Sequence, residues 1–215
     1  TVVRVDVATG EILARVDLGD AQLPSESSLA VDDRGVWVLT AGTEPDLLRI
    51  DPVTNEVVDT IPGPSEGAAV RAAEGSLWVT RPRTGQLIRV DPATGEELAE
   101  IDVAPFSIFR AVGDGGVWTL GADTAEVTHV DPVTDTVVAT IPVGDGTVSG
   151  GDIAVGGGYV WARVSDSLVA QIDPATDQVV ARFGPPAGSG SVAADDDAVW
   201  ISAHDVDTVW RLPLG

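Results

Sequence analysis

The sequence contains no cysteine and no methionine, and no lysine stands among its 12 basic residues, which are all arginine. Without cysteine there are no disulfides, thiolate metal sites or cysteine nucleophiles, and the redox compartment is left open. A chain that opens at Thr1 and holds no methionine is expected to be processed or excised from something longer. Basic residues are few beside 34 acidic ones, giving a net charge of −22 and a pI near 4.1. A field of that sign repels phosphate backbones and anionic lipid, so nucleic acid is not an expected partner. Apolar runs are short, none near the roughly 18 residues of a membrane-spanning helix, and no signal peptide is read. Direct membrane insertion is therefore not expected. The acid excess fits either a halophile's surface or the codon bias of a high-GC genome, and neither names a function.

What the chain does contain is a period. Tryptophans recur at Trp37, Trp78, Trp118, Trp161 and Trp200, in steps of 41, 40, 43 and 39 residues. A second ladder runs through Asp51-Pro52-Val53-Thr54-Asn55 and Asp91-Pro92-Ala93-Thr94-Gly95. It continues as Asp131-Pro132-Val133-Thr134-Asp135 and Asp173-Pro174-Ala175-Thr176-Asp177, with a degenerate first copy at Asp6-Val7-Ala8-Thr9-Gly10. Two ladders sharing one period near 42 residues define five structural repeats. Each repeat reads as four short β-branched strands, here A to D, with no window of helical period. Strand A ends in phrases such as Leu29-Ala30-Val31, and B holds the tryptophan. C enters the Asp-Pro turn, and D leaves it. In that turn proline presets φ, the Asp or Thr oxygen takes a backbone N–H, and Gly, Asn or Asp closes the hairpin in the left-handed region. The turn aspartates are accordingly structural rather than metal ligands.

A four-stranded sheet cannot bury both faces alone, so such units stack. The expected fold is all-β, a β-propeller of about five four-stranded blades over residues 1–215 as a single domain, or part of a six- or seven-bladed ring. One strand does not fit. There are five A, B and D strands but six C strands, because Thr1–Val5 and Thr208–Leu212 both read as C. The opening D strand, Glu11 to Val16, is expected to complete the blade of Trp200, which leaves one C strand surplus.

The recurring phrase, an Ile-Ala-Val strand, a Gly-x-Val-Trp-Val strand and Ile-Asp-Pro-x-Thr, resembles the YVTN- and NHL-type bacterial propellers over essentially the whole chain. That resemblance implies a bacterial envelope or secreted protein. The related virginiamycin B lyase-like propellers use histidines and an acidic residue with a divalent metal. Here only His204 offers itself near a mouth, so the lyase histidine set is not matched. Shared scaffold residues imply a fold, not an activity.

Residues that break the repeat are the better clue to function. On strand A, arginine replaces apolar or small residues at Arg71 and Arg110. Just beyond two tryptophans come Arg81 and Arg163, with Arg83 close by. These guanidinium groups are expected at the propeller mouth, where they suit a carboxylate or an acidic peptide loop. The structural alternative is local pairing with acids such as Glu66, Glu74 or Asp152. Phe106 and Phe109 stand in a D–A loop that is polar elsewhere, as an anchor for a partner, a plug or blade padding. His204 lies beside Asp205 and Asp207 in the last B–C loop, either exposed there or as a metal ligand or base. His129 belongs to a polar column on strand C with Arg4, Arg49, Arg89, Gln171 and Arg211, read as a solvated face. Asp32-Asp33 and Asp195–Asp197 are expected as solvated turns and no cofactor is expected, weak calcium or magnesium binding by carboxylates being the alternative. The expected function is non-catalytic: a scaffold or sensor domain binding a protein or a small anionic ligand. The alternatives are a metal-assisted lyase or hydrolase of the streptogramin-lyase type, and a structural assembly module.

Overall fold

The computed structural model describes residues 1–24, 27–148, 150–186 and 188–214, with the side chain of Phe109 outside the described part. The repeat produces the expected sheets. Four are four-stranded and antiparallel, each in sequence order: β3–β6 (Leu29–Asp32, Gly35–Leu39, Asp46–Asp51, Glu56–Pro62), β7–β10 (Ala69–Ala73, Ser76–Arg81, Gln86–Val90, Glu97–Asp102), β11–β14 (Ser107–Gly113, Gly116–Gly121, Glu126–Asp131, Thr136–Pro142) and β15–β18 (Asp152–Gly156, Tyr159–Arg163, Val169–Asp173, Gln178–Phe183). A fifth sheet has three strands, β19–β21 (Val192–Ala194, Ala198–Ala203, Thr208–Pro213), and the opening β1 and β2 (Val2–Val5, Ile12–Val16) pair only with each other. The strand β2 thus builds a separate hairpin instead of completing the Trp200 sheet. The surplus C strand is β1, which keeps its own D partner through the Asp6 turn.

Contacts divide the chain into two compact units, Thr1–Val79 with Ile88–Ala99, and Thr80–Leu87 with Glu100–Gly215. In the first, Trp37, Leu39, Val70, Leu77 and Val90 share one core cluster, and Val16, Val38, Leu48 and Ile50 form another with the opening hairpin. In the second, Trp118 clusters with Ile153, Val160 and Ile172, and Trp161 with Val192, Val199 and Ile201. Within the units, the apolar residues of the following sheet thus bury Trp37, Trp118 and Trp161, which is how a four-stranded unit hides its second face.

The Asp-Pro turns form as the sequence predicts. The Asp51 carboxylate accepts the Val53 amide at 2.6 Å, and Asp91, Asp131 and Asp173 accept the amides two residues on. The closing residues Asn55, Gly95, Asp135 and Asp177 have φ of 59°, 77°, 56° and 55°. A type I turn followed by a left-handed residue generates a bulge in the next strand pair. The C–D register indeed shifts after Arg49, His129 and Gln171.

The polar column on strand C is where the structure departs from the expected solvated face. Four column residues lie in register with a tryptophan: Arg49 with Trp37, His129 with Trp118, Gln171 with Trp161 and Arg211 with Trp200. The Arg89 and Arg211 guanidinium carbons sit 5.8 and 5.7 Å from the Trp78 and Trp200 ring centroids. His129 is buried, stacked on Trp118 at 3.7 Å, and its Nδ1 lies 2.7 Å from the Asp177 carboxylate of the next sheet. Arg89, His129 and Arg211 thus lie over the indole beside them, the two arginines in cation–π geometry.

Candidate functional site

The loops that follow the B and D strands carry the sequence candidates, and the structure sorts them. Arg71 belongs to the first unit, in β7. It is half-buried, and its guanidinium donates to the carbonyls of Val70 at 3.1 Å and Leu29 at 3.5 Å. The remaining candidates belong to the second unit.

Arg163 ends β16 with 1% of its surface exposed. Its Nε donates to the Ser202 carbonyl at 3.3 Å, and its two terminal nitrogens donate to the carbonyls of Val164 and Gly188. It therefore ties the D–A loop at Gly188 to the B–C loop after Ser202. Around this clasp the Gly188 amide donates to the Asp205 carboxylate at 2.9 Å, the His204 amide donates to the Ser189 carbonyl at 2.9 Å, and His204 Nδ1 lies 3.1 Å from Ser189 Oγ. Burial pushes the Arg163 pKa down, and the Asp205 charge opposes that shift. His204 and Asp205 are exposed in a 3₁₀ turn, and Asp207 follows it with φ of 50°. Among the described residues no three His, Cys, Asp or Glu side chains group as a metal site would require.

Arg81 is 9% exposed and pairs with Glu100 at 3.0 Å; Gln86 holds the other Glu100 oxygen at 2.5 Å. Arg110 is 1% exposed in β11 and donates to the Ile108 carbonyl at 2.9 Å. Three of the four sequence-selected arginines thus bury their charge in loop or sheet contacts.

Phe106 behaves differently. It is 45% exposed, and its φ is 53°, a left-handed backbone that a bulky residue adopts only at a cost of roughly 1–2 kcal/mol. The conformation belongs to the repeat, since Glu66 and Gly146 occupy the same turn position with φ of 59° and 83°. What is unusual is an aromatic side chain there. The turn is clamped: the Phe106 amide donates to the Pro82 carbonyl at 3.1 Å, and its carbonyl accepts from Ala122 at 3.3 Å and Ile108 at 2.9 Å. Ser107 Oγ closes it on the Ala104 carbonyl at 2.7 Å. Gly121 packs so tightly beneath that a Cβ there would lie 2.6 Å from the Ala104 methyl.

Beside Pro82, in the loop that receives the Phe106 amide, Arg83 is exposed and makes no hydrogen bond or ion pair among the described residues. An unspent guanidinium in a chain of net charge −22 is uncommon enough to note, and the structure brings it to the same loop cluster as Phe106. Sequence reading noticed both residues but gave Arg83 no separate weight, because nothing in the spacing separates a free arginine from a paired one.

No family model matches the chain, and no curated protein does. Solved structures do. Hydrazine synthase of Kuenenia stuttgartiensis superposes with a TM-score of 0.66 at 15% identity, over 94% of this chain and 70% of that one. BamB from Moraxella catarrhalis gives 0.67 at 16%, over 98% and 66%. The computationally designed Ika8 protein gives 0.72 at 16%, over 92% and 61%. The chain thus spans 61 to 70% of the length of these proteins. At such identities the likeness establishes the fold: an all-β chain of four-stranded propeller blades.

Proposed function

We propose that the chain is a non-catalytic, protein-binding β-propeller scaffold whose contact point is the Phe106 turn with Arg83 beside it. The observation that carries this reading is an exposed aromatic side chain held in a strained, fully clamped turn. Rigid aromatic anchors lose little entropy on binding and dominate interface energetics. Strain retained at an exposed loop, where glycine would relieve it, points to a use for the side chain. Arg83 supplies a planar fork for a carboxylate of the partner, and its charge acts locally because fields are screened within about 8 Å at physiological salt. The anionic-ligand site drawn from Arg71, Arg81, Arg110 and Arg163 becomes this smaller patch. The YVTN/NHL-type resemblance and a bacterial envelope or secreted location belong to the same reading. Among the described residues no helix is long and apolar enough to cross a membrane. The lyase alternative gains no specific observation, since His204 bonds only to Ser189 and no metal-ligating cluster surrounds it among the described residues.

The test is a peptide selection. Peptides chosen from a random library on the immobilised chain are expected to lose at least tenfold in affinity for Phe106→Gly, with a smaller loss for Arg83→Ala. Arg15→Ala, at another exposed arginine, is expected to change nothing. Selected peptides that bind Phe106→Gly as well as wild type contradict the assignment.

A further inference from the structure

The D strands differ in one respect. All but one carry charge: Arg15 in β2, Glu56 and Asp59 in β6, Glu97, Glu100 and Asp102 in β10, and Arg182 in β18. The strand β14, Thr136–Pro142, carries none. The contrast with β6 is close. Glu-Val-Val-Asp-Thr-Ile-Pro and Thr-Val-Val-Ala-Thr-Ile-Pro agree at five of seven positions and differ only where β6 is charged. Charged side chains on an edge strand keep other strands from pairing with it, and β14 lacks that protection.

This strand lies in the middle of the sequence and within the second unit, at the end of the β11–β14 sheet with β13 as its ladder partner. Its apolar side chains face solvent: Val137 is 42% and Val138 52% exposed, with Val133 of the preceding turn at 85%. Thr136 and Thr140 are exposed as well. The C–D bulge is shared with β6 and β18, so it does not set β14 apart. One of the two absent charges has a scaffold cause. In the first unit Asp59 pairs with Arg49 across the register at 3.6 Å, and in β13 His129 replaces that arginine, opposite Ala139. The other has none, because Glu56 makes no ion pair among the described residues that its counterpart Thr136 could have given up.

We propose that β14 is a pairing edge for a second copy of this chain, with two β14 strands antiparallel about a two-fold axis and two four-stranded sheets joined into one. The occupant follows from charge. Each copy carries −22, so most contacts between copies set acid against acid, whereas β14 brings no charge to the pairing. An axis near Val138 sets Thr136 opposite Thr140 of the second copy, a favourable cross-strand pair, and buries Val138 against its equivalent. Such an isologous contact consumes both edges and stops at the dimer. One strand pair falls short of the roughly 1,200–2,000 Å² of a stable interface, so the dimer is weak and forms at high concentration. Repulsion between the two acidic copies is screened by salt, which strengthens the pairing. This goes beyond the protein-binding reading of Phe106, whose turn adjoins β11 at the opposite edge of the same sheet.

The probe is the 215-residue chain itself, followed by analytical ultracentrifugation from about 5 µM to about 1 mM at low and high salt. The expected result is a reversible monomer–dimer equilibrium, tighter at high salt. Thr136→Glu combined with Ala139→Asp, which gives β14 the sequence of β6, is expected to weaken it at least tenfold with the circular dichroism unchanged. Because the chain has no cysteine, the contact can also be trapped. Val138→Cys is expected to form a disulfide-linked dimer under mild oxidation, while Val180→Cys, equally exposed at 52% in the charged β18, stays monomeric. A chain that is monomeric throughout the range, a double variant that dimerises as wild type, or equal cross-linking at the two cysteines overturns the proposal. Phe106→Gly is expected to dimerise as wild type, and the β14 double variant to bind selected peptides as wild type, so failure here and failure of the proposed function are told apart.

Discussion

Two loop clusters of the second unit both break the sequence repeat, and they do so for opposite reasons. At Arg163 an unusual cation is 1% exposed and spends its donors on three backbone carbonyls. At Phe106 an unusual aromatic is 45% exposed and its side chain is left to solvent while its backbone is clamped. The first is a loop clasp that stabilises the fold. The second costs stability and leaves an aromatic side chain half exposed. A departure from a repeat therefore marks function only when the departing side chain has contacts left to make.

The largest expected effect breaks the clasp. Arg163→Met leaves the carbonyls of Val164, Gly188 and Ser202 without this donor, and is expected to destabilise the protein by about 3 kcal/mol. Chemical denaturation, read as a lower midpoint at unchanged slope, checks it. Arg163→Lys is expected to recover less than half, because one ammonium cannot reproduce a fork spread over three acceptors. On the other side of the comparison, Phe106→Gly is expected to raise stability by about 1 kcal/mol, since glycine accepts a φ of 53° without strain.

Arg83→Ala sharpens the contrast further. With no hydrogen bond or ion pair among the described residues, it is expected to shift stability by less than about 0.5 kcal/mol, measured by thermal melting. Its effect is expected in binding instead, as a lower affinity whose dependence on salt is reduced.

A smaller and more diffuse effect concerns acid. The carboxyls of Asp6 and Asp131 are held below the ordinary aspartate range, chiefly because the amides of Thr9 and Val133 donate to their charged forms, and that of Asp195 is lowered by the Asp197 and Ala198 amides. A carboxyl depressed in the folded state contributes stability that is present above its unfolded pKa and lost as pH falls through the folded value. Stability is therefore expected to hold down to about pH 4 and to fall below it. Asp131→Asn is expected to flatten that fall, which denaturation at a series of pH values would show.

The sequence carried the repeat well because every scaffold rule in it is local. The Asp-Pro turns and the left-handed closing residues act within a few residues, and the tryptophans mark the same local unit again in each repeat. Long-range matters were less legible. The strand-C column reads as polar and solvated, yet Arg89, His129 and Arg211 cover indoles, a role that depends on cross-strand register and on the following sheet. The spare C strand could be counted but not placed, since pairing β2 with β1 or with the Trp200 sheet uses the same pattern of residues. The arginines were found by their departure from the repeat, but whether carbonyls, Glu100 or solvent would meet them depends on loop paths that no spacing encodes.

The most direct measurement is made on Phe106→Gly alone, with folding stability and affinity for a library-selected peptide recorded on the same preparation. The account predicts that they move in opposite directions, stability rising by about 1 kcal/mol while affinity falls at least tenfold. A variant that is less stable and binds as wild type would show Phe106 to be part of the scaffold, and would contradict the assignment of this turn as the contact site.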